Sequence, residues 1–191
     1  MYPTLVRDAR FYLFQLEADR TLLAEARKKV CAICGDVLHS SDFPRKPRGG
    51  PAELGEDADV RFSLCCADRE CRRRMTPPSL RFLGRKVYLS AVVVVVSAMR
   101  HGASPSRMRQ LRELFGVSRR TVERWRAWWR TTFAKSRCWR EAAAIFMPPV
   151  EVARLPASIL ERFLGSEEER LILLLRLLAP LTGGSPTEHA R

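Results

Sequence analysis

The chain has 191 residues, 46% of them hydrophobic, and a formal net charge of +13 at pH 7. This length suits one ordinary domain or two small ones, and the hydrophobic content excludes a wholly disordered chain. No secretion signal is recognisable, and the longest apolar run, residues 87–99, is shorter than the roughly 20 residues of a membrane helix. We therefore expect a cytoplasmic protein without a membrane segment, in which cysteines are reduced.

The positive charge is concentrated in one part of the sequence. Residues 81–140 contain fifteen basic and two acidic side chains, whereas residues 1–30, 31–80 and 141–191 have net charges of +2, 0 and −2. Such clustering is the electrostatic footprint of phosphate binding, since a merely arginine-rich composition would spread along the chain. The distribution predicts a polyanionic partner, with double-stranded DNA as the leading candidate.

The first segment, residues 1–30, predicts an N-terminal helix. Residues 4–29 contain no Gly or Pro, and their apolar positions recur at helical spacing. These positions are Leu5, Ala9, Leu13, Leu16, Leu22, Leu23 and Ala26. The helix is expected to lead into the first cysteine pair.

The second segment, residues 31–80, is predicted to be a small β zinc ribbon. Apart from its five cysteines, only 14 of its 50 residues are hydrophobic, and a domain so short of apolar burial is commonly held by a metal. Cys31 and Cys34 form a pair followed by Gly35, which suits a tight turn. A second pair would complete four thiolates, a set that leaves no open position and indicates a structural Zn²⁺.

The stretch FSLCCADREC offers two partners for Cys71. Four residues separate it from Cys66, within the usual ligand spacing, whereas five separate it from Cys65. In a strand, Cys66 also shares a face with Phe62 and Leu64. The predicted ligands are Cys31, Cys34, Cys66 and Cys71.

Three further positions in the sequence bear on this prediction. His39 is a possible substitute ligand, although a solvated side chain in a polar loop is the simpler interpretation. Residues 44–60 are punctuated by Pro and Gly and are predicted to form a loop inside the ribbon. Cys138 is isolated from the other cysteines and is expected to pack as a small apolar residue.

Residues 86–100 contain five consecutive valines, which favour a strand by propensity. The run is nevertheless long for a strand and lacks a turn residue. Valine in a helix costs about 0.5 kcal/mol relative to alanine, while its burial contributes about 1.5 kcal/mol or more. We predict a buried helix, the first of three in the segment 81–140.

A second helix is predicted after Ser104, which is a suitable N-cap followed by Pro105 at the first helical position. Met108, Leu111 and Phe115 then form one apolar stripe over two turns.

The third helix is predicted to follow a turn at Gly116, with Ser118 as its N-cap. Val122, Trp125 and Trp129 share one face of it. Two helices joined by a short Gly-containing turn, with the second one basic, are typical of a DNA-reading helix-turn-helix.

The opposite face of this third helix supplies the candidate DNA contacts. Arg120, Arg124 and Ala127 lie on it with Glu123 at the edge, and arginine can form two parallel hydrogen bonds to guanine. Flanking arginines suit phosphates. The full candidate set is Ser118, Arg119, Arg120, Thr121, Glu123, Arg124, Arg126, Ala127 and Arg130.

The last segment, residues 141–191, is predicted to be helical, with a flexible tail over residues 183–191. Ser166 and Glu169 form a capping box before a helix that is apolar almost all round. We expect this helix to be buried, either against the N-terminal helix or in contact with a second copy or a partner protein. No arrangement of nucleophile and base appears in the chain, so we do not expect an enzyme.

The order of CAICG, FSLCCADREC, TPPS and GVSRRTVERW resembles the zinc-ribbon and helix-turn-helix regions of bacterial insertion-sequence transposases and related small mobile-element proteins. The resemblance covers about residues 31–133 and implies metal ligation by the four cysteines and DNA contact by the helix that begins at Ser118. Transposases also need a nuclease domain, typically three carboxylates around two metal ions, for which residues 141–191 are too few.

The expected fold is therefore mainly α with a small β zinc ribbon. The expected function is that of a non-catalytic, nucleoid-associated DNA-binding protein: an accessory or truncated transposase-like component of a mobile element, or a small transcriptional regulator. The alternative is a zinc-ribbon adaptor for protein interaction, whose basic segment binds RNA or an acidic partner.

Overall fold

The computed structural model describes residues 2–84, 86–99 and 104–184, which are mainly helical with a small antiparallel sheet. This confirms the predicted fold class at that level. Within these ranges no helix combines the length and apolar character needed to cross a membrane. Residues 185–191 of the predicted tail lie outside the described residues. The helices are α1 (Tyr2–Leu5), α2 (Ala9–Arg27), α3 (Ser90–Ala98), α4 (Pro105–Phe115), α5 (Arg119–Trp128), α6 (Arg137–Ala143), α7 (Ala157–Leu160) and α8 (Glu167–Leu178).

The N-terminal helix differs from the prediction, because the chain breaks after α1 and restarts as α2. Asp8 caps the new helix by accepting a hydrogen bond from the Arg10 amide at 2.9 Å, a common role for Asp. Val6, in the break, is fully buried, and its carbonyl accepts a hydrogen bond from the Tyr12 hydroxyl at 2.9 Å. The prediction of one continuous helix over residues 4–29 is therefore wrong.

The strands form two small antiparallel groups. β1 (Leu38–Ser40), β4 (Leu64–Cys66) and β5 (Arg74–Met75) are ordered β1-β4-β5, while β2 (Phe43–Pro44) pairs with β3 (Val60–Arg61). Short 3₁₀ turns at Ala52–Leu54 and Glu56–Asp59 lie between β2 and β3. The segment predicted as a plain loop over residues 44–60 is thus partly ordered.

The valine run forms the buried helix α3, as predicted. Residues 90–97 are all buried, and α3 packs against α5 and α8. The helix begins only at Ser90, because a turn at Lys86 and isolated bridges at Tyr88 and Leu89 precede it, and Val87 is half-exposed. The burial of five valine side chains therefore outweighs their low helix propensity here.

One side of the C-terminal helix α8 is buried within the same chain, as predicted, whereas Leu173 on the other side is exposed. Ser166 and Glu169 form the predicted capping box, with hydrogen bonds of 2.7 and 3.2 Å. Its leucines face α1, α3 and α7. The buried positions are Leu171, Leu174, Leu175 and Leu178. Beyond the helix, the Gly184 amide donates to the Thr76 carbonyl at 3.1 Å, which holds the start of the predicted tail.

A buried ion pair connects the helical part to the strands. Asp19 of α2 accepts from Arg81 Nε at 2.9 Å, from the Ser79 hydroxyl at 2.6 Å and from the Leu80 amide at 2.6 Å. Both Asp19 and Arg81 have almost no solvent exposure. Both oxygens of the carboxylate therefore accept hydrogen bonds within the protein.

The Arg81 guanidinium also reaches the segment that precedes β3. It donates to the carbonyls of Asp57 at 3.3 Å, Ala58 at 2.9 Å and Val60 at 2.9 Å. Its carbon centre lies 4.9 Å from the Phe82 ring centroid, within cation–π range. Arg81, which the sequence counts as one of many basic residues, is thus a structural group.

We expect Arg81→Met to lower the free energy of unfolding by about 3–5 kcal/mol, because it leaves the buried Asp19 carboxylate without its cation. Arg20→Met is the matched control, since Arg20 forms only exposed ion pairs, with Glu17 and with Asp57 at 3.0 Å. Its loss is expected to stay below about 1 kcal/mol. Urea unfolding of both variants measures the difference, and equal losses would contradict the structural role of Arg81.

Candidate metal centre and candidate nucleic-acid interface

The first cysteine pair lies in a tight turn after α2. The Gly35 amide donates to the Cys31 carbonyl at 2.9 Å, and Gly35 has a φ of 80°, a conformation that favours glycine. Hydrogen bonds from the amides of Cys34 and Ile33 lower the pKa of the Cys31 thiol to about 7. The turn therefore favours a thiolate at Cys31, the form that binds metal.

The second cysteine pair lies at the end of β4 and in the turn that follows. The Cys66 amide donates to the Arg73 carbonyl at 2.9 Å, which closes this turn. Burial raises the pKa of the Cys66 thiol, while the Asp68 amide acts in the opposite direction. A buried thiolate of this kind needs a cation to be stable.

The four predicted ligands come together in space. All four sulfurs lie within 4.8 Å of one another, with Cys31 and Cys71 separated by 3.7 Å and Cys34 and Cys66 by 3.3 Å. Tetrahedral zinc with Zn–S bonds of about 2.3 Å requires sulfurs about 3.8 Å apart. The four cysteines can therefore hold a metal ion such as zinc.

Cys65 and His39 lie outside this cluster. They are opposite one another in the register of β1 and β4, so their side chains share the face that Cys66 does not use. The Cys65 thiol instead donates to the Arg72 carbonyl at 3.5 Å. The structure places Cys66 with the other three cysteines and leaves Cys65 and His39 on the outer face.

Strand alternation in RFSLCC predicts that Phe62, Leu64 and Cys66 face inward and that Arg61, Ser63 and Cys65 face outward, and this holds only over β4. Leu64 and Cys66 are buried and Cys65 is not, but Arg61 and Ser63 are buried as well, against prediction. The reason is that β3 and β4 belong to different sheets. Between them, the Ser63 amide donates to Asp42 Oδ1 at 2.8 Å.

We expect Cys66→Ser to lose bound zinc and Cys65→Ser to keep it, because only the first removes a sulfur from the cluster. Metal analysis of the purified variants, normalised to protein, measures this. Cys138→Ser serves as a second control. Full zinc content in Cys66→Ser together with loss in Cys65→Ser would show that the register of β4 is shifted by one residue.

The basic segment contains the two predicted helices α4 and α5 and the turn between them. Gly116 has a φ of 65°, and its amide donates to the Arg112 carbonyl at 2.9 Å, while the Val117 amide reaches the Leu111 carbonyl at 3.4 Å. The bond from Gly116, in the left-handed conformation, is that of an αL cap, which ends α4. The predicted N-cap at Ser104 is confirmed, since its hydroxyl accepts from the Arg107 amide.

Helix α5 is held against the core by its predicted apolar face. Val122, Trp125 and Trp129 are buried, and the Ser118 hydroxyl caps the helix by accepting from the Thr121 amide at 3.3 Å. The chain continues beyond Trp128 as a π-helical turn, Trp129–Phe133.

Tyr88, a buried residue of the core, holds the start of α5 in place. Its hydroxyl donates to the Gly116 carbonyl at 2.8 Å, and its ring meets the Trp125 ring edge-on at 5.0 Å. The turn and the helix are therefore held as one unit.

The opposite face of α5 is open to solvent. The base-contact candidates Arg120, Arg124 and Ala127 are exposed together there, while Thr121 is half-buried. Within the described part of the chain, neither Arg120 nor Arg124 forms an ion pair. The other exposed candidates are Ser118, Arg119, Glu123 and Arg130.

Arg126, a flanking member of the candidate set, also makes a contact within the fold. Its Nη2 donates to the Met99 carbonyl at 2.6 Å, and burial, followed by the nearby charges of Arg130 and Arg107, lowers its pKa. A cation at the end of α3 complements the unpaired carbonyls there. Arg126 therefore connects α5 to α3.

Lys86 lies beside the exposed face of α5, and the sequence pattern did not mark it as a candidate DNA contact. Its Nζ lies 3.9 Å from the Trp128 ring centroid, and burial, with a smaller contribution from Arg124, lowers its pKa to about 8. In the sequence, only the position of Lys86 in the basic segment 81–140 indicated that it could face a polyanion. It extends the cationic surface beside the C-terminal half of α5.

The chain thus combines a cluster of four thiols with a rigidly held helix that presents uncompensated arginines. Such a surface can bind phosphates and base edges, and the cluster can bind a metal. No family model, no curated protein and no solved structure matches the chain.

Proposed function

We propose that this protein is a zinc-stabilised, sequence-specific DNA-binding protein in which α4, the turn at Gly116 and α5 act as a helix-turn-helix. One observation carries the proposal: α5 is anchored in the core on one face and presents Arg120, Arg124 and Ala127 on the other. A helix of this width fits the major groove of B-DNA.

Recognition follows from the chemistry of the exposed face. Each arginine can donate two parallel hydrogen bonds to O6 and N7 of guanine, and the small Ala127 allows the helix to approach the base edges. Arg119 and Arg130, on the flanks, are suited to phosphates, which position the helix without reading sequence. The rigid attachment of α5 through Trp125 and Tyr88 keeps the two kinds of contact in register.

The cysteine cluster has a structural role in this proposal. Four thiolates around zinc leave no coordination position for a substrate, so the metal stabilises the ribbon and takes no part in chemistry. The protein then acts without catalysis, as an accessory or truncated transposase-like component of a mobile element in the cytoplasm, associated with the nucleoid. Regulation of transcription at a specific site would use the same surface.

We expect Arg124→Ala to relax sequence preference at one base pair by about 1–3 kcal/mol, since one bidentate contact is lost. Selection of bound sequences from random DNA by the zinc-loaded protein measures this. Arg130→Ala is the contrasting variant and is expected to weaken all sequences alike. Absence of any preferred sequence for the unmodified protein would contradict the proposal, as would tighter binding to RNA than to duplex DNA.

We also expect affinity for DNA to fall as pH rises from 7 to 9. The free protein loses the Lys86 proton near pH 8, and phosphates favour the protonated form, so binding above that pH requires proton uptake. The fall attributable to this one group is at most about tenfold. Lys86→Met should remove that part of the pH dependence. If the variant shows the same pH profile of DNA affinity as the unmodified protein, Lys86 does not belong to the binding surface.

A further inference from the structure

The short basic segment Arg45-Lys46-Pro47-Arg48, called here the 45–48 segment, is fixed against the helical part of the protein. The Arg48 amide donates to the Val87 carbonyl at 2.8 Å, and the Leu89 amide donates to the Arg48 carbonyl at 3.1 Å. These are main-chain bonds, so they hold the segment in place independently of the Arg48 side chain.

Arg45 anchors the other end of the segment. Its Nη2 donates to the carbonyls of Gly84 at 3.2 Å and Lys86 at 2.9 Å, and its guanidinium lies 5.6 Å from the Phe82 ring centroid. Burial lowers the pKa of Arg45. The Arg45 side chain therefore stabilises the fold.

Two glycines allow the chain to lie this close to α3. A Cβ at Gly50 would come within 2.7 Å of Leu89 Cδ1, and one at Gly49 would come within 3.1 Å of Val92 Cγ1. Gly49 also has a φ of +86°, which side chains other than glycine rarely adopt. The two glycines that follow the 45–48 segment therefore pack closely against the start of α3.

The neighbouring residues 86–89 lie along α5. Lys86 contacts Trp128 near its C-terminal end, and Tyr88 contacts Gly116 and Trp125. The 45–48 segment thus pairs with the same short stretch, residues 87–89, whose Tyr88 side chain contacts α5.

Lys46 and Arg48 are the outward-facing cations of this segment. Both are exposed, and neither forms an ion pair within the described residues. Lys46 has a φ of 45°, so its surroundings hold it in a conformation that side chains normally avoid. Of the acidic residues that follow, Asp57 is engaged with Arg20 of α2 at 3.0 Å.

We propose that Lys46 and Arg48 bind DNA phosphates beside the groove that α5 occupies, so that the strand-containing half contributes directly to the DNA-binding surface. The inference rests on the proposed function. The Arg48 backbone adjoins residues 87–89, next to Lys86, and none of Lys46, Arg48, Lys86 and Arg124 forms an ion pair within the described residues, which favours a polyanion. Contacts of this kind add affinity through counterion release and carry no sequence information.

The test uses the full-length, zinc-loaded variant Lys46→Asn/Arg48→Gln. Asparagine tolerates the left-handed conformation at position 46, and the main-chain bonds of Arg48 are unaffected, so the fold is expected to remain intact. Duplex DNA affinity is measured between 50 and 200 mM salt. We expect the slope of log K against log salt to become about two units shallower, with affinity reduced about fivefold to fiftyfold on preferred and random sequences alike.

The charge-matched control is Lys28→Asn/Lys29→Gln, which removes two exposed cations at the end of α2. We expect its salt slope to equal that of the unmodified protein. Suppose that the unmodified protein binds DNA. If Lys46→Asn/Arg48→Gln then keeps the salt slope of the unmodified protein, or if the control variant loses as much slope, the inference fails while the proposed function stands. If the unmodified protein does not bind duplex DNA, the proposed function fails and the inference fails with it.

Discussion

The buried pair between Asp19 and Arg81 determines how the parts of this protein fit together. A charge removed from water must find its partners inside the protein, and here those partners come from α2, from the approach to α3 and from the turn before β3. The geometry of one guanidinium therefore fixes three chain segments relative to one another. The cysteine cluster follows α2 along the chain and α5 packs against α3, so both lie next to segments that this pair joins.

A second buried arginine extends the same principle. Arg61 of β3 donates to the carbonyls of Pro77 at 2.6 Å and Thr182 at 3.1 Å, and burial lowers its pKa to about 10. The strand-containing half has few apolar residues of its own, so directional polar contacts attach it to the helical core. Such contacts specify orientation more strictly than apolar packing, because a small rotation leaves a buried donor unpaired.

Local patterns in the sequence predicted the local features of the structure. The caps at Ser104 and Ser118, the buried face of α5 and the capping box at Ser166 each depend on residues a few positions apart. The cysteine spacing likewise selected the four thiols that the structure brings together. Whether zinc and DNA occupy these sites stays a prediction.

The features that sequence reasoning missed depend on contacts between distant residues. Asp19 and Arg81 are 62 positions apart, and nothing in the pattern of either segment marks them as partners. The same holds for Lys86 beside Trp128 and for the 45–48 segment beside residues 87–89.

The register of β4 also bears on the cysteine cluster. Sliding the strand by one residue would turn Cys65 inward and Cys66 outward, so the pairing of the sheet decides which of the two adjacent thiols joins the other three.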